Sequence, residues 1–185
     1  MFSAAGFVWS AANAMGAESL EDESVESVAI PAAIPLAKSP ESAKEARKEL
    51  QQLLDETLHF ATDELYKKAT FYPFLAGLTP SGKVELIGVP KDRERPEPET
   101  AIKALRKAAE QLAGKKRYRA LALYVDFVAE RKDTAIKQPG IRVELEHSYP
   151  DAMSVFIPYF IHDNDQISLM TPQFMAAKPR FFHSQ

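Results

Sequence analysis

Apolar and charged residues alternate along residues 141–146, and a second apolar run begins at residue 153. Between them, the Ser-Tyr-Pro-Asp sequence at 148–151 is typical of a turn. Side chains on a strand point to opposite faces with a period of two, so this pattern predicts an antiparallel hairpin with one buried face. We expect the aliphatic residues at 141, 143 and 145 to face the core and the charged residues between them to face solvent.

Two other segments have the spacing of amphipathic helices. In residues 42–68, apolar residues recur at intervals of three and four, and Ser42 with Glu45 forms a capping box. A second helix is predicted over residues 98–113, with Gly114 at the C′ position that ends it. Its expected buried stripe contains Ile102, Leu105, Ala109 and Leu112.

The remaining patterned segments predict strands. Residues 71–78 and 83–89 flank a Thr-Pro-Ser-Gly sequence and are expected to form a hairpin. Residues 118–130 are largely apolar on both faces, which predicts a central strand. The strand predicted over 153–161 contains Pro158, which has no amide donor and therefore requires a sheet edge or a bulge.

Together these elements predict an α+β fold with two helices and an antiparallel sheet of five to six strands. The expected order is α-β-β-α-β-β-β, or the same order followed by a short last strand over 166–170. Residues 41–185 are expected to form a single domain. Residues 1–40 include prolines within an apolar stretch and are expected to form a disordered or extended leader and linker. The apolar residues at 179–182 are expected to dock on the domain.

Composition excludes several classes of protein. The 185 residues carry a formal net charge of −3 and include no cysteine, which excludes disulfides, thiolate catalysis and cysteine-ligated metals. The lack of a basic excess argues against nucleic-acid binding. No apolar run approaches the roughly 20 residues that a membrane-spanning helix needs.

The first residues bear on localisation. Residues 2–12 are small and apolar, and Ala-Asn-Ala at 12–14 fits the shape of a signal-peptide cleavage site. A secretory signal normally begins with a positive charge, and no Lys or Arg precedes this stretch. The expected location is therefore cytoplasmic, with export as the open alternative.

Several short motifs resemble a family of small uncharacterised bacterial proteins. They are F-Y-P-F at 71–74, L-E-H at 145–147, P-Y at 158–159 and P-R-x-F at 179–182. The resemblance covers roughly residues 43–182, the extent of one domain. The chain departs from the family in its leader and at 148–151, where the family commonly has an acidic-Gly turn. The resemblance implies no catalytic residues. The order of elements is also similar to roadblock and profilin-like domains, which are scaffolds and interaction modules.

Three carboxylates are candidates for a functional site. Glu144 and Glu146 are expected on one strand face, with His147 on the other, and could act together as acid and base. The alternative is an ordinary solvated row of charges paired with Lys or Arg across the sheet. Asp126 interrupts an apolar strand, where burial would raise its pKa; the alternative is a strand-end pair with an Arg or a backbone amide.

No metal or cofactor site is expected. The chain has no H-x-x-x-H pair, so its four histidines are expected at boundary or surface positions. His-Asp-Asn-Asp at 162–165 offers oxygen donors, but the spacing is wrong for an EF-hand, and a turn is expected.

Two functional hypotheses follow. The first is a non-catalytic protein-interaction or scaffold domain, which either self-associates or binds one protein partner as an immunity protein does. It depends on the absence of a catalytic constellation and on an exposed sheet edge at 153–161. The second is a small-molecule-binding domain or unrecognised enzyme, with Asp126, Glu144 and Glu146 in a cleft between sheet and helix, joined by Tyr124 or Arg142.

Overall fold

The computed structural model describes residues 42–88, 95–130, 137–164 and 166–182. The predicted leader at 1–40 lies outside them. The α+β class is confirmed, and one strand, β7, was not predicted. The helices are α1 (Ala43–Lys68) and α2 (Pro98–Gly114). The strands are β1 (Phe74–Leu78), β2 (Val84–Ile87), β3 (Ala120–Glu130), β4 (Lys137–His147), β5 (Asp151–Ile161), β6 (Ile167–Leu169) and β7 (Gln173–Ala176).

Helix α1 begins where the capping residues predict. The Ser42 hydroxyl accepts the Glu45 amide at 3.3 Å, which satisfies one of the orphan donors of the first turn. The helix ends at Ala69, whose φ of 56° is left-handed and whose amide donates to the Leu65 carbonyl. Its stripe is buried as expected, through Ala46, Leu50, Leu53, Leu54, Thr57, Ala61 and Leu65.

Helix α2 begins with a proline in its first turn, which loses no hydrogen bond there. The predicted role of Gly114 is wrong, because Gly114 lies inside the helix and the left-handed residue is Lys116, with a φ of 53°. The buried stripe consists of Ala101, Leu105, Ala109 and Ala113. It is rotated slightly around the helix axis from the predicted stripe, which included Ile102 and Leu112.

The strands form one antiparallel sheet in the order β2-β1-β3-β4-β5-β6, with β7 also paired to β5. Strand β3 is central, as its apolar faces predict. The expectation that β5 is an exposed edge is wrong, since β7 pairs with residues 153–156 and β6 with 159–161. Pro158 lies between these two pairings. Its carbonyl accepts the Met170 amide at 2.8 Å, so the residue without an amide donor lies outside the paired residues of both β6 and β7.

The two helices cover opposite faces of the sheet. Helix α1 packs across β1 to β5, whereas α2 packs mainly against β1 and β3. We call the second side the α2 face. Next to α2, the C-terminal residues 177–182 cover part of β4, and Phe181 is only 1% exposed, which confirms that this segment docks. The α2 face of β4 therefore lies between a helix and the C-terminal segment.

Gly140 permits a close approach on the same face. A Cβ at this position would lie 2.4 Å from the Phe156 ring and 2.9 Å from the Ile157 carbonyl oxygen. The Phe156 ring therefore lies directly against β4, where it meets Phe127 edge-on, with the ring centroids 6.3 Å apart.

We expect Gly140→Ala to lower the free energy of unfolding by about 1–3 kcal/mol, because the new methyl group overlaps an aromatic ring and a backbone carbonyl that cannot move aside. Urea denaturation measures the change. Gly114→Ala is the matched control: no heavy atom lies within 4 Å of its added Cβ. It should be neutral or stabilising, by up to about 1 kcal/mol. Equal stability of the two variants would contradict the packing argument.

Candidate functional site

A groove of about 370 Å³ lies on the α2 face, between α2, the β4–β5 hairpin and the C-terminal segment. A cavity of this size can admit a small molecule or one end of a larger ligand. We call it the groove. Its lining includes Arg106 from α2, Arg142, Glu144 and Glu146 from β4, Ser154 from β5, and Lys178 and Arg180 from the C-terminal segment.

The acidic residues of β4 face this groove and not open solvent. The Glu144 side chain is 14% exposed and Glu146 is 3% exposed, so the expectation that both carboxylates meet water is wrong. The predicted parity is correct, because both lie on one face and His147 lies on the other. The covering elements come from elsewhere in the chain, and the alternation within one strand carries no information about them.

Glu144 is held by an arginine from the helix. Arg106 donates to both carboxylate oxygens, through Nε at 3.2 Å and Nη2 at 2.6 Å. Arg142 Nη2 lies 3.7 Å from the same carboxylate. A bidentate, partly buried pair of this kind is among the stronger ion pairs in proteins. The charge of the Glu144 carboxylate is therefore balanced by Arg106 of α2.

Arg142 occupies an unusual position beside this pair. Its guanidinium lies 4.2 Å from the centroid of the Phe127 ring, and its Nε is buried without a hydrogen-bond partner among the described residues. Burial lowers the pKa of Arg142, Glu144 opposes that shift, and the neighbouring Arg106 and Arg180 add to it. Two guanidinium groups, those of Arg106 and Arg142, thus lie beside one carboxylate, and Arg180 lines the same groove.

Glu146 fastens the C-terminal segment to the sheet. Its Oε2 accepts the backbone amides of Arg180 at 2.7 Å, Phe181 at 2.7 Å and Phe182 at 3.3 Å. Successive amides that converge on one anion form a nest. Burial raises the pKa of the Glu146 carboxyl, and the three amides oppose this because they favour the charged form. The role of Glu146 here is structural.

His147 is fully buried on the α1 side, so its predicted boundary or surface position is wrong. Its Nδ1 accepts the Tyr149 amide at 2.8 Å, which places the ring proton on Nε2. Nε2 then donates to Glu49 at 2.9 Å, and Glu49 also pairs with Arg119 at 2.9 Å. Burial lowers the pKa of His147, although Glu49 opposes the shift. Both ring nitrogens are engaged, so neither can serve a ligand.

Asp126 lies on the opposite side of the sheet from the groove. Its carboxylate accepts the Thr70 hydroxyl at 2.7 Å and the Tyr159 hydroxyl at 3.0 Å, instead of the expected Arg or backbone amide. Tyr124 is also on that side, fully buried and hydrogen-bonded to Thr57 at 2.6 Å. The structure therefore brings together only Arg142, Glu144 and Glu146 from the sequence candidates.

Three further lining residues were not candidates from the sequence. Arg106 lies four residues after Ile102 and next to Leu105, so its place at the border of the α2 stripe could have been noticed. Lys178 and Arg180 have no local pattern that predicts their position, because it depends on where the C-terminal segment docks.

The other polar motifs are ordinary surface features. His59 and His162 are exposed as expected, and His183 lies outside the described residues. Residues 163–164 form the predicted turn, while Asp165 is not among the residues described. Within 42–88, 95–130, 137–164 and 166–182, no three His, Asp or Glu side chains are grouped so as to hold a metal ion.

A second surface feature is an exposed apolar edge of the sheet. It consists of five large apolar side chains that are each 43–54% exposed, namely Phe160, Ile161, Met170, Phe174 and Met175. We call it the apolar edge. Strand β7 pairs with β5 on its inner side, and no strand in the described part of the chain pairs with its outer side.

Comparison of the chain with known protein families, with curated proteins and with solved structures found no match. The resemblance to a bacterial family stays a prediction. Neither α1 nor α2 has an apolar stretch long enough to cross a lipid bilayer.

Glu146→Ala should release the C-terminal segment and lower the free energy of unfolding by about 2–3 kcal/mol, because buried amides lose a charged acceptor. Urea denaturation checks the stability, and hydrogen exchange at Phe181 checks the release. Glu56→Ala, on the exposed side of α1, is the control and should change stability by less than about 0.5 kcal/mol. Unchanged protection at Phe181 in Glu146→Ala would contradict this role.

Folding stability should fall as the pH drops below about 6.5, the ordinary pKa of histidine. The pKa of His147 is lowered in the folded chain, so below about pH 6.5 the unfolded chain binds a proton that the folded chain does not. The stabilisation that comes from the neutral His147 is therefore complete above about pH 6.5 and is lost as the pH falls. Urea denaturation at values from about pH 7.5 to about pH 5.5, on either side of about 6.5, measures the slope, which is how steeply the free energy of unfolding changes with pH. His147→Gln should flatten it, whereas His59→Gln, at an exposed site, should not. Equal slopes in the two variants would refute the assignment.

Proposed function

We propose that this chain is a non-catalytic recognition domain that binds a second copy of itself through the apolar edge. The observation that carries the proposal is the concentration of exposed apolar side chains at one sheet edge. Among the described residues, seven large apolar side chains are strongly exposed, and five of them belong to this edge. Clusters of this kind are typical of protein interfaces, whereas single exposed apolar residues are normal.

The backbone of β7 favours pairing with another strand. An edge strand whose outer amides and carbonyls have no partner can accept a strand from another chain. Phe174 shares the α1 side with Val155, and Met175 shares the α2 face with Ser154. A strand added beside β7 would therefore gain apolar contacts on both faces of the extended sheet.

The charge pattern favours a second copy as the partner. Residues 166–177 contain no charged side chain. Natural proteins usually protect an exposed edge with charges, particularly Lys, that oppose edge-to-edge pairing. In a two-fold symmetric dimer each residue meets the same surface of its partner, so an uncharged edge pairs with itself without repulsion.

The state of the acidic candidates supports a non-catalytic role. Glu144 is paired with Arg106, Glu146 with three backbone amides, and Asp126 with two hydroxyl groups on the other side of the sheet. Each carboxylate therefore has a structural task. An enzyme that used them together would need them in one cleft and within reach of a substrate.

Multi-angle light scattering of the full chain at increasing concentration should show a dimer. Phe174→Glu should weaken the dimer by at least about tenfold, because it buries a charge at a symmetric apolar contact. Tyr66→Glu is the matched control, since Tyr66 is 56% exposed on α1 and is not one of the apolar-edge residues, so its replacement should leave the dimer intact.

A monomer at all concentrations would overturn the proposal, as would equal effects of the two variants. A monomer would instead favour another occupant of the edge, such as a different protein. Circular dichroism of both variants establishes that any loss of the dimer is not a loss of folding.

A further inference from the structure

We infer that the groove binds a phosphate group, either as free phosphate or as the phosphate end of a small ligand. The inference concerns the α2 face and is independent of self-association through the apolar edge. The inference depends on three cationic residues that line the groove, Arg142, Lys178 and Arg180. The hydroxyl group of Ser154, which also lines the groove, is a neutral donor.

The groove has an excess of positive charge. Its lining includes four cationic side chains and two carboxylates. One carboxylate, that of Glu146, accepts hydrogen bonds from backbone amides. The other, that of Glu144, forms an ion pair with Arg106. A cationic concavity in a chain with net charge −3 is a local feature, because the overall composition would favour the opposite sign.

The remaining cations have donors to offer. Within the described residues, the side chains of Lys178 and Arg180 have no ion-pair partner, and the buried Nε of Arg142 donates to nothing. A buried donor that lacks an acceptor costs free energy. Because Arg142 lines the groove, its guanidinium also adds to the positive potential there. Three groups that carry donors, from the sheet and the C-terminal segment, thus converge on one groove.

Arg142 is held in place before any ligand arrives. Its guanidinium lies against the Phe127 ring at 4.2 Å and beside Glu144 at 3.7 Å. A planar guanidinium fixed in this way suits a tetrahedral oxyanion, which can accept two parallel hydrogen bonds from it. Less conformational entropy is lost on binding because the side chain is already ordered.

The same features argue against other ligands. A metal ion would be repelled by the excess cations, and the carboxylates that could attract it are already engaged. An extended polyanion such as a nucleic acid needs a row of cations along a surface, whereas these are confined to a cavity of about 370 Å³. A compact anion matches both the size and the charge of the site.

Isothermal titration of the full chain with inorganic phosphate tests the inference. Saturable binding that weakens with added salt is expected, and Arg180→Gln should reduce the affinity by about tenfold. Arg180 is suited to the test because its backbone amide, and not its side chain, binds Glu146, so the variant should fold normally. Lys107→Gln is the matched control: it removes one positive charge from an exposed position on α2 outside the groove lining and should leave the affinity unchanged.

Arg142→Gln provides a second test among the lining residues, and it should likewise reduce the affinity by at least about tenfold. Parallel titrations with phenyl phosphate distinguish the two sources: tighter binding of the ester indicates a phosphorylated small molecule, and tighter binding of phosphate indicates the free ion. No saturable heat with either probe up to about 20 mM would overturn the inference. Equal losses in Arg180→Gln and Lys107→Gln would also overturn it, since only general charge attraction would then remain.

Discussion

The structure depends most on one buried carboxylate that holds the end of the chain. Glu146 accepts three consecutive backbone amides of the C-terminal segment and so holds Phe181 in the apolar cluster between α2 and the sheet. Without that segment, much of the α2 face of β4 would be open to water, because α2 packs mainly against β1 and β3 and reaches β4 through the Arg106 side chain. Glu146 is thus shielded by the same segment that it binds, and this explains how a charged residue can be 3% exposed.

The same contact creates the groove. Once residues 177–182 lie against the sheet, Arg180 and Lys178 line the same groove as Arg106, Arg142 and Glu144. As a result, both carboxylates of the groove have hydrogen-bond donors, whereas some of its cationic side chains have no acceptor in the described part of the chain. A buried network of this kind is costly when a donor has no acceptor. That imbalance is the physical basis for assigning an anion to the groove.

The apolar edge and the groove are joined through the chain. Strand β7 leads directly into the segment that Glu146 holds, and its pairing with β5 places Phe174 and Met175 at the sheet edge. Pairing of β7 with a second copy would order this strand further and restrict the segment that follows it. The proposed self-association and the inferred ligand binding would therefore involve neighbouring parts of one short stretch, although each depends on its own side chains.

The sequence by itself determined the elements and their faces: local periodicity placed both helices, the β3–β5 strands and the shared face of Glu144 and Glu146, because each depends on neighbours along the chain. The tertiary structure alone decided whether those faces met water. Strand β7, the burial of Glu146 and His147, and the gathering of Arg106 with Arg180 depend on contacts between residues far apart in sequence. Alternation reports which side a residue is on, and only the folded chain determines what covers that side.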